Sequence, residues 1–237
     1  MTQPAGFHSD VIAFNTLVRR EIARFIRIWS QTLLPPAITM SLYFIIFGKF
    51  IGSQIQHIQG FSYIQYIVPG LVMMAIMTNA YSNTSSSFFL TKFNKSIEEM
   101  LVSPMSNSVI LLGFLIGGAL RGILVGIIVM MVAFLFTHVP FAHPIIIIAM
   151  AMLAAMVFSV AGFINALFAR RFDDVAFIPT FVLTPLTYLG GVFFSVTQLP
   201  PIWQKISVLN PILIIVDTFR YGMLGIGDIH YYFGLAF

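Results

Sequence analysis

The chain has 237 residues, of which 59% are hydrophobic and only 8% charged, and its mean hydropathy is +0.95. A soluble domain is about 45–50% apolar and about 25% charged, so this chain lacks the polar surface to cover a water-facing globule and reads as a polytopic membrane protein. Its formal charge of +4 then bears on topology and lipid-headgroup contact, which sets nucleic acid aside as a partner, and the absence of Cys excludes disulfide and thiolate chemistry.

The first ten residues, MTQPAGFHSD, are polar and do not read as a cleavable signal. Residues 10–29 then form an amphipathic pattern. Val11, Phe14, Leu17, Val18, Ile22, Phe25 and Trp29 recur at helical spacing, and Arg20, Arg24 and Arg27 make a basic row at i, i+4, i+7. This pattern predicts an interfacial helix lying in the headgroup layer and able to carry force along it.

A spanning helix needs about 20 mostly apolar residues. Five segments qualify, at 31–51, 63–88, 109–136, 144–168 and 176–195. With the N-terminus in the cytoplasm, Arg19, Arg20, Arg24, Arg27, Lys92, Lys95, Arg170 and Arg171 fall inside. Lys49, Lys205 and Arg220 fall outside, as do His57, His138, His143 and His230. That is a positive-inside bias. The histidines have no metal-ligand spacing, so no metal site is assigned.

The second span has a polar inner half with rows at Thr78/Ser82/Ser86 and Asn79/Asn83/Ser87. The third carries two small-residue rows, Gly113/Gly117 and Gly118/Gly122/Gly126, which let helix backbones approach closely. At about 100° per residue, Arg121 falls between these rows, so its head faces protein. An intramembrane Arg is costly and points to function. Asn165 in the fourth span and Thr184 in the fifth extend the polar set, giving Thr78, Asn79, Ser82, Asn83, Arg121, Asn165 and Thr184 as translocation-path candidates. Pro179 and Pro185 should kink the fifth span.

The next stretch holds two short helical patterns, one after Pro200-Pro201 and one capped by Asn210-Pro211. Neither is long enough to cross, and the charges make crossing costly. Residues 199–226 are therefore expected to form an external re-entrant hairpin, with Asp217 and Arg220 at i, i+3 as outer-gate candidates. A further apolar run starts at Ile229 and reaches Phe237, about 13 Å as helix. A sixth span is expected to belong here and to be missing or cut short.

No catalytic signature is present. Gly48-Lys49-Phe50 lacks the pattern of a phosphate loop, and neither GxSxG nor HExxH occurs. The chain is expected to be no enzyme and to bind no cofactor itself.

Between spans two and three, residues 90–108 contain SIEEMLVSP. Two of only eight acids sit side by side here, in a segment otherwise half apolar. An ordinary solvated turn would favour small polar residues.

In combination, LLPPAITMSLYFIIFG, KSIEEMLVSPMS, FDDVAFIPTFVLTPLTYLGGVFFS and LPPIWQKISVLNPILIIVDTFRYGMLG closely resemble the ABC-2 type transporter permease family, the membrane subunits of bacterial ATP-driven exporters. The resemblance covers nearly the whole chain as one domain, 1–237. It implies six spans, location in the bacterial inner membrane, and a second permease copy forming a homodimer. It also implies two copies of a separate ABC ATPase subunit that bind ATP and Mg. Residues 90–108 then hold the coupling helix. Ile97, Met100 and Leu101 are expected to fill a cleft on the ATPase, Glu98 and Glu99 to meet its basic rim, and Pro104 to stop the helix. The rival reading is a standalone channel or membrane scaffold. Residue types along the path fit lipids, glycans and hydrophobic compounds alike, with hydrophobic cargo preferred.

Overall fold

In a computed structural model the chain is helical almost throughout, and residues 7–52 and 57–228 are described. The run from Ile229, where a sixth span was expected, lies outside them, as does His230. Among the described residues, four helical stretches are long and apolar enough to cross a membrane: Trp29–Gly48, Tyr63–Phe93, Asn107–Phe134 and Pro144–Phe168.

The amphipathic stretch forms α1 (Phe7–Arg27). The first span follows as α2 (Trp29–Thr32), α3 (Leu34–Tyr43) and a π-helical run, Phe44–Ile51. Next, β1 (His57–Ile58) and β2 (Phe61–Ser62) pair antiparallel. Their two-residue turn has φ of 50° at Gln59 and 88° at Gly60, the left-handed pair that a tight hairpin requires.

Helix α4 (Tyr63–Phe93) is the axis of the molecule and is buried over most of its length. Helix α5 (Ser96–Val102) follows at once, and α6 (Asn107–Phe134) and α7 (Pro144–Phe168) then flank α4. The two glycine rows of α6 serve different neighbours. A Cβ on Gly113 or Gly117 would collide with Leu17 or Glu21 of α1. One on Gly122 would stand 2.7 Å from the Ile76 carbonyl of α4, and one on Gly126 would stand 2.5 Å from the Ile76 side chain. So α6 accepts α1 on one stripe and α4 on the other. Backbones this close maximise dispersion contact where no hydrophobic drive separates helix from lipid.

The stretch expected as the fifth span, 176–195, is broken: the end of α8 (Phe172–Ile178) is followed by a π-helical run, Pro179–Leu183, and α9 (Thr184–Tyr188), and the helix ends before the expected residue 195. It is not one of the helices long and apolar enough to cross; a further candidate is the bent pair Pro201–Val208 and Pro211–Leu224. Pro179 lacks the N–H that a regular ladder needs, and the register shifts to π at that point. The Pro179 carbonyl accepts both the Thr184 backbone N–H and Thr184 Oγ1, the latter at 2.9 Å. Then α10 (Pro201–Val208) and α11 (Pro211–Leu224) meet at 89°. Asn210 caps α11 by accepting from the Ile212 N–H at 3.0 Å, and Pro211 occupies its first position. Helix α11 is buried against α4 and α7.

Candidate functional site

Polar side chains gather at two ends. One holds α1, α5 and the start of α8, together with Arg19, Arg20, Arg27, Lys92, Lys95, Arg170 and Arg171; it is called the basic end below.

At the basic end a network crosses from α1 into α4 and α6. The buried row of α1 is Leu17, Glu21 and Phe25, at i, i+4, i+8. A carboxylate therefore occupies the middle of an apolar stripe, where only partners make it tolerable. Arg24 donates to Glu21 Oε2 at 3.1 Å and Ser87 donates to the same oxygen at 2.7 Å. Arg24 also donates to Asn83 Oδ1 at 2.8 Å. Arg121 reaches Asn83 Oδ1, Asn79 Oδ1 and the Thr32 carbonyl, each at 3.4 Å. Two guanidinium groups thus converge on one amide oxygen. Glu21 Oε1, Arg24 Nε, Asn83 Nδ2 and Arg121 Nε remain buried without a hydrogen-bond partner.

The path candidates divide. Asn79, Asn83 and Arg121 belong to this network. Thr78 bonds back to the Met74 carbonyl of its own helix. Asn165 is buried and donates to the Val175 carbonyl at 3.0 Å, tying α7 to α8. Thr184 is exposed on α9. Ser82 lines an open cleft of about 370 Å³, with Ser85, Ser86 and Thr180 among its walls.

The segment Ser96–Val102 is indeed a helix, entered through Lys95 at φ 61°, but its faces are divided differently from the expectation. Ile97 and Met100 turn inward onto the cluster of Phe88, Phe89, Ile110 and Phe114. Glu98, Glu99, Leu101, Val102 and Pro104 are exposed, Val102 by 81%. Ile97 and Met100 therefore root the helix in its own domain, and the outward apolar pair is Leu101 and Val102. Nearby, Lys92 Nζ donates to the Leu167 and Ala169 carbonyls at 2.7 and 2.9 Å, closing the end of α7. Asp174 accepts from the Arg170 and Arg171 N–H groups at 2.8 and 2.9 Å. Those backbone donors hold its carboxyl below the usual carboxylate range.

At the opposite end Asp217 and Arg220 do pair, at 3.3 Å, but both are almost fully buried. Arg220 also donates to the Gly191 carbonyl at 2.5 Å and lies 4.1 Å above the Tyr66 ring. Asp228, which sequence reasoning left unassigned, completes the cluster. It accepts from the Val196 N–H and Gln59 Nε2 at 2.8 Å and from Tyr66 OH at 3.3 Å, and Ser195 Oγ lies 2.7 and 2.8 Å from its two oxygens. Its own N–H donates to Asp217 at 3.0 Å. The cluster ties α11, the hairpin, the start of α4 and the loop after α9 into one unit.

These features agree with the relatives found by comparison. Residues 12–224 match the family model described as ABC-2 type transporter. The chain is 54% identical over 224 residues to "Inner membrane transport permease YadH" of Escherichia coli (strain K12), covering 94% of this chain and 87% of that protein. It is 27% identical over 185 residues to "Nodulation protein J" of Sinorhizobium fredii, covering 78% and 70%. A similar match to "Nodulation protein J" of Neorhizobium galegae is 25% identical over 218 residues, covering 92% and 83%. The chain belongs to the ABC-2 type transporter family and is a membrane transport permease subunit.

Proposed function

We propose that the chain is the membrane-embedded half of an ATP-driven exporter of the bacterial inner membrane, energised by a separate ABC ATPase subunit that holds the ATP and Mg. The basic end faces the cytoplasm. The observation that carries this reading is α5. It is a short helix, packed on its own domain through the partly buried Ile97 and Met100, that presents Leu101 and Val102 beside Glu98 and Glu99. Exposed apolar side chains flanked by charge, on a segment fixed in its own core, are suited to a partner protein.

Motion of the ATPase pushes α5, and through Ile97 and Met100 it moves the inner ends of α4, α6 and α7. Helix α1 carries the same motion to Arg121 through Glu21, Arg24 and Asn83. Two permease copies form a homodimer and face each other across the serine-lined cleft at Ser82. The conducting path is thereby completed between copies, for a lipid, a glycan or a hydrophobic compound. The paired helices α10 and α11 form a re-entrant hairpin that closes the outer side, with Asp217 and Arg220 holding the gate.

The test is co-purification of the ATPase with permease variants. Burying Leu101 contributes about 1.5–3 kcal/mol, whereas an exposed ion pair contributes about 0–1 kcal/mol. Leu101→Asp is expected to release the ATPase and Glu98→Gln to retain most of it. Wild-type retention by Leu101→Asp overturns the role of α5. Undiminished transport after ATP depletion would instead favour a standalone channel.

A further inference from the structure

We infer that the groove between α1 and the basic end of α4 is a binding site for the phosphate headgroup of an anionic membrane phospholipid, a resident lipid and not the cargo. The inference depends on α1 lying at a membrane surface and not on coupling to an ATPase.

The groove has a volume of about 480 Å³. Its lining includes the row Arg20, Arg24 and Arg27 of α1, and Ser87 and Thr91 of α4 with Asn94 at its C-cap. Each row runs at i, i+4, i+7, so each falls on one face of its own chain segment. Glu21 is the one carboxylate in the lining. Its Oε2 is already taken by Arg24 and Ser87, and its Oε1 stands 3.9 Å from Arg20. Three guanidinium groups against one carboxylate leave the groove with a surplus of two positive charges. Arg27 makes no ion pair among the described residues. Arg24 Nε is buried beside the groove with no partner. The site thus offers convergent donors and uncompensated positive charge, the chemistry that planar guanidinium groups bring to phosphate.

The apolar surroundings choose the lipid over a free anion. Leu90 and Ile28 line the groove and are 39% and 40% exposed. Ile26 near the end of α1 and Trp29 at the start of α2, close to Ile28 in the chain, are exposed as well. A soluble phosphate has no use for this rim, whereas a phospholipid lays its acyl chains along it while its headgroup meets the arginines. Basic pockets between helices at a membrane surface bind lipid headgroups in this manner. An exposed tryptophan next in the chain to the lining residue Ile28 is also suited to the headgroup level.

The test is native mass spectrometry of the full chain in nanodiscs of phosphatidylcholine doped with phosphatidylglycerol. The wild type is expected to retain phosphatidylglycerol preferentially. Arg20→Gln/Arg27→Gln is expected to lower that preference by about tenfold, since each surface cation adds appreciably to anionic-lipid binding. Arg170→Gln/Arg171→Gln removes the same charge at the same end outside the groove and should change it less than about twofold. Asn94→Phe fills the groove without altering charge and should also lower retention. Equal losses in the two arginine pairs would reduce the effect to a diffuse field and overturn the site. Displacement of the lipid by millimolar inorganic phosphate would reassign the groove to a free anion and overturn the lipid assignment.

Discussion

The two charged clusters of this protein are built to opposite specifications. Around Arg220 the network is complete, although its contacts to Asp217 and the Tyr66 carbonyl are 3.3 and 3.4 Å: no side-chain nitrogen or oxygen of Asp217, Arg220, Asp228 or Tyr66 is buried without a partner. Around Arg121 three of the contacts stretch to 3.4 Å, and four network atoms are orphaned. Satisfied buried networks rigidify, whereas partly satisfied ones hold unused donors that a second arrangement can employ. The first therefore serves as a lock and the second as a joint. The joint lies on the elements that connect α1 with the spans, where motion must pass if the basic end receives the ATPase.

Charge removal at the lock should have the largest effect. Arg220→Leu leaves Asp217 buried without its cation and should cost about 3–5 kcal/mol, measured as a large fall in thermal unfolding temperature in detergent. Replacing Asp217 and Arg220 together by apolar residues should cost less than Arg220→Leu alone, because less uncompensated charge is left behind. In that double variant transport should change while the ATPase still co-purifies.

At the joint, Arg24→Leu strands Glu21. The Arg24 side chain is 29% exposed, so solvent shares the burden and the expected loss is about 1–3 kcal/mol. Adding Glu21→Gln should restore most of that loss, a coupling that a double-mutant cycle measures. Arg121→Leu sharpens the contrast further. Its partners are neutral oxygens, so stability should shift by no more than about 1 kcal/mol, and membrane insertion should become easier. Transport should nevertheless fall on the order of tenfold, the scale of a typical coupling energy. Wild-type transport in this variant would remove Arg121 from the joint.

The smallest effect belongs to Asp174, which is fully exposed. Its carboxyl is held below its ordinary range in the folded chain. Its contribution is therefore complete above the unfolded value of about 3.9 and fades as pH falls through the lower folded value. Amide exchange at Arg170 and Arg171 should quicken only under those acidic conditions, and Asp174→Asn should quicken it at neutral pH.

Local pattern made much of the helical scaffold legible. The glycine rows of α6 and the position of Arg121 between them follow from angular spacing alone, as does the Asn210-Pro211 start of α11. Glu21 was missed for a physical reason. Sorting α1 by polarity places every charged residue on the water side, yet the i, i+4 row of Leu17, Glu21 and Phe25 was available as a signal. Asp228 was out of reach, because its partners Ser195 and Tyr66 lie 33 and 162 positions away and no local period encodes such pairings. The faces of α5 were misjudged because a seven-residue helix is too short for periodicity to say which apolar side chains its own domain claims. The early end of the helix expected as the fifth span was written in Gly190-Gly191, where Gly191 adopts φ 66°, a conformation that glycine supplies most readily.

The chain contains no cysteine, so a single introduced thiol reports on one position. Leu101→Cys on α5 and Leu209→Cys after α10, which are 58% and 84% exposed at opposite ends, can be labelled with a charged maleimide in membranes opened to both faces. Coupling through α5 predicts that co-expressed ATPase protects Leu101→Cys while Leu209→Cys reacts at an unchanged rate. Equal labelling of Leu101→Cys with and without bound ATPase would contradict it.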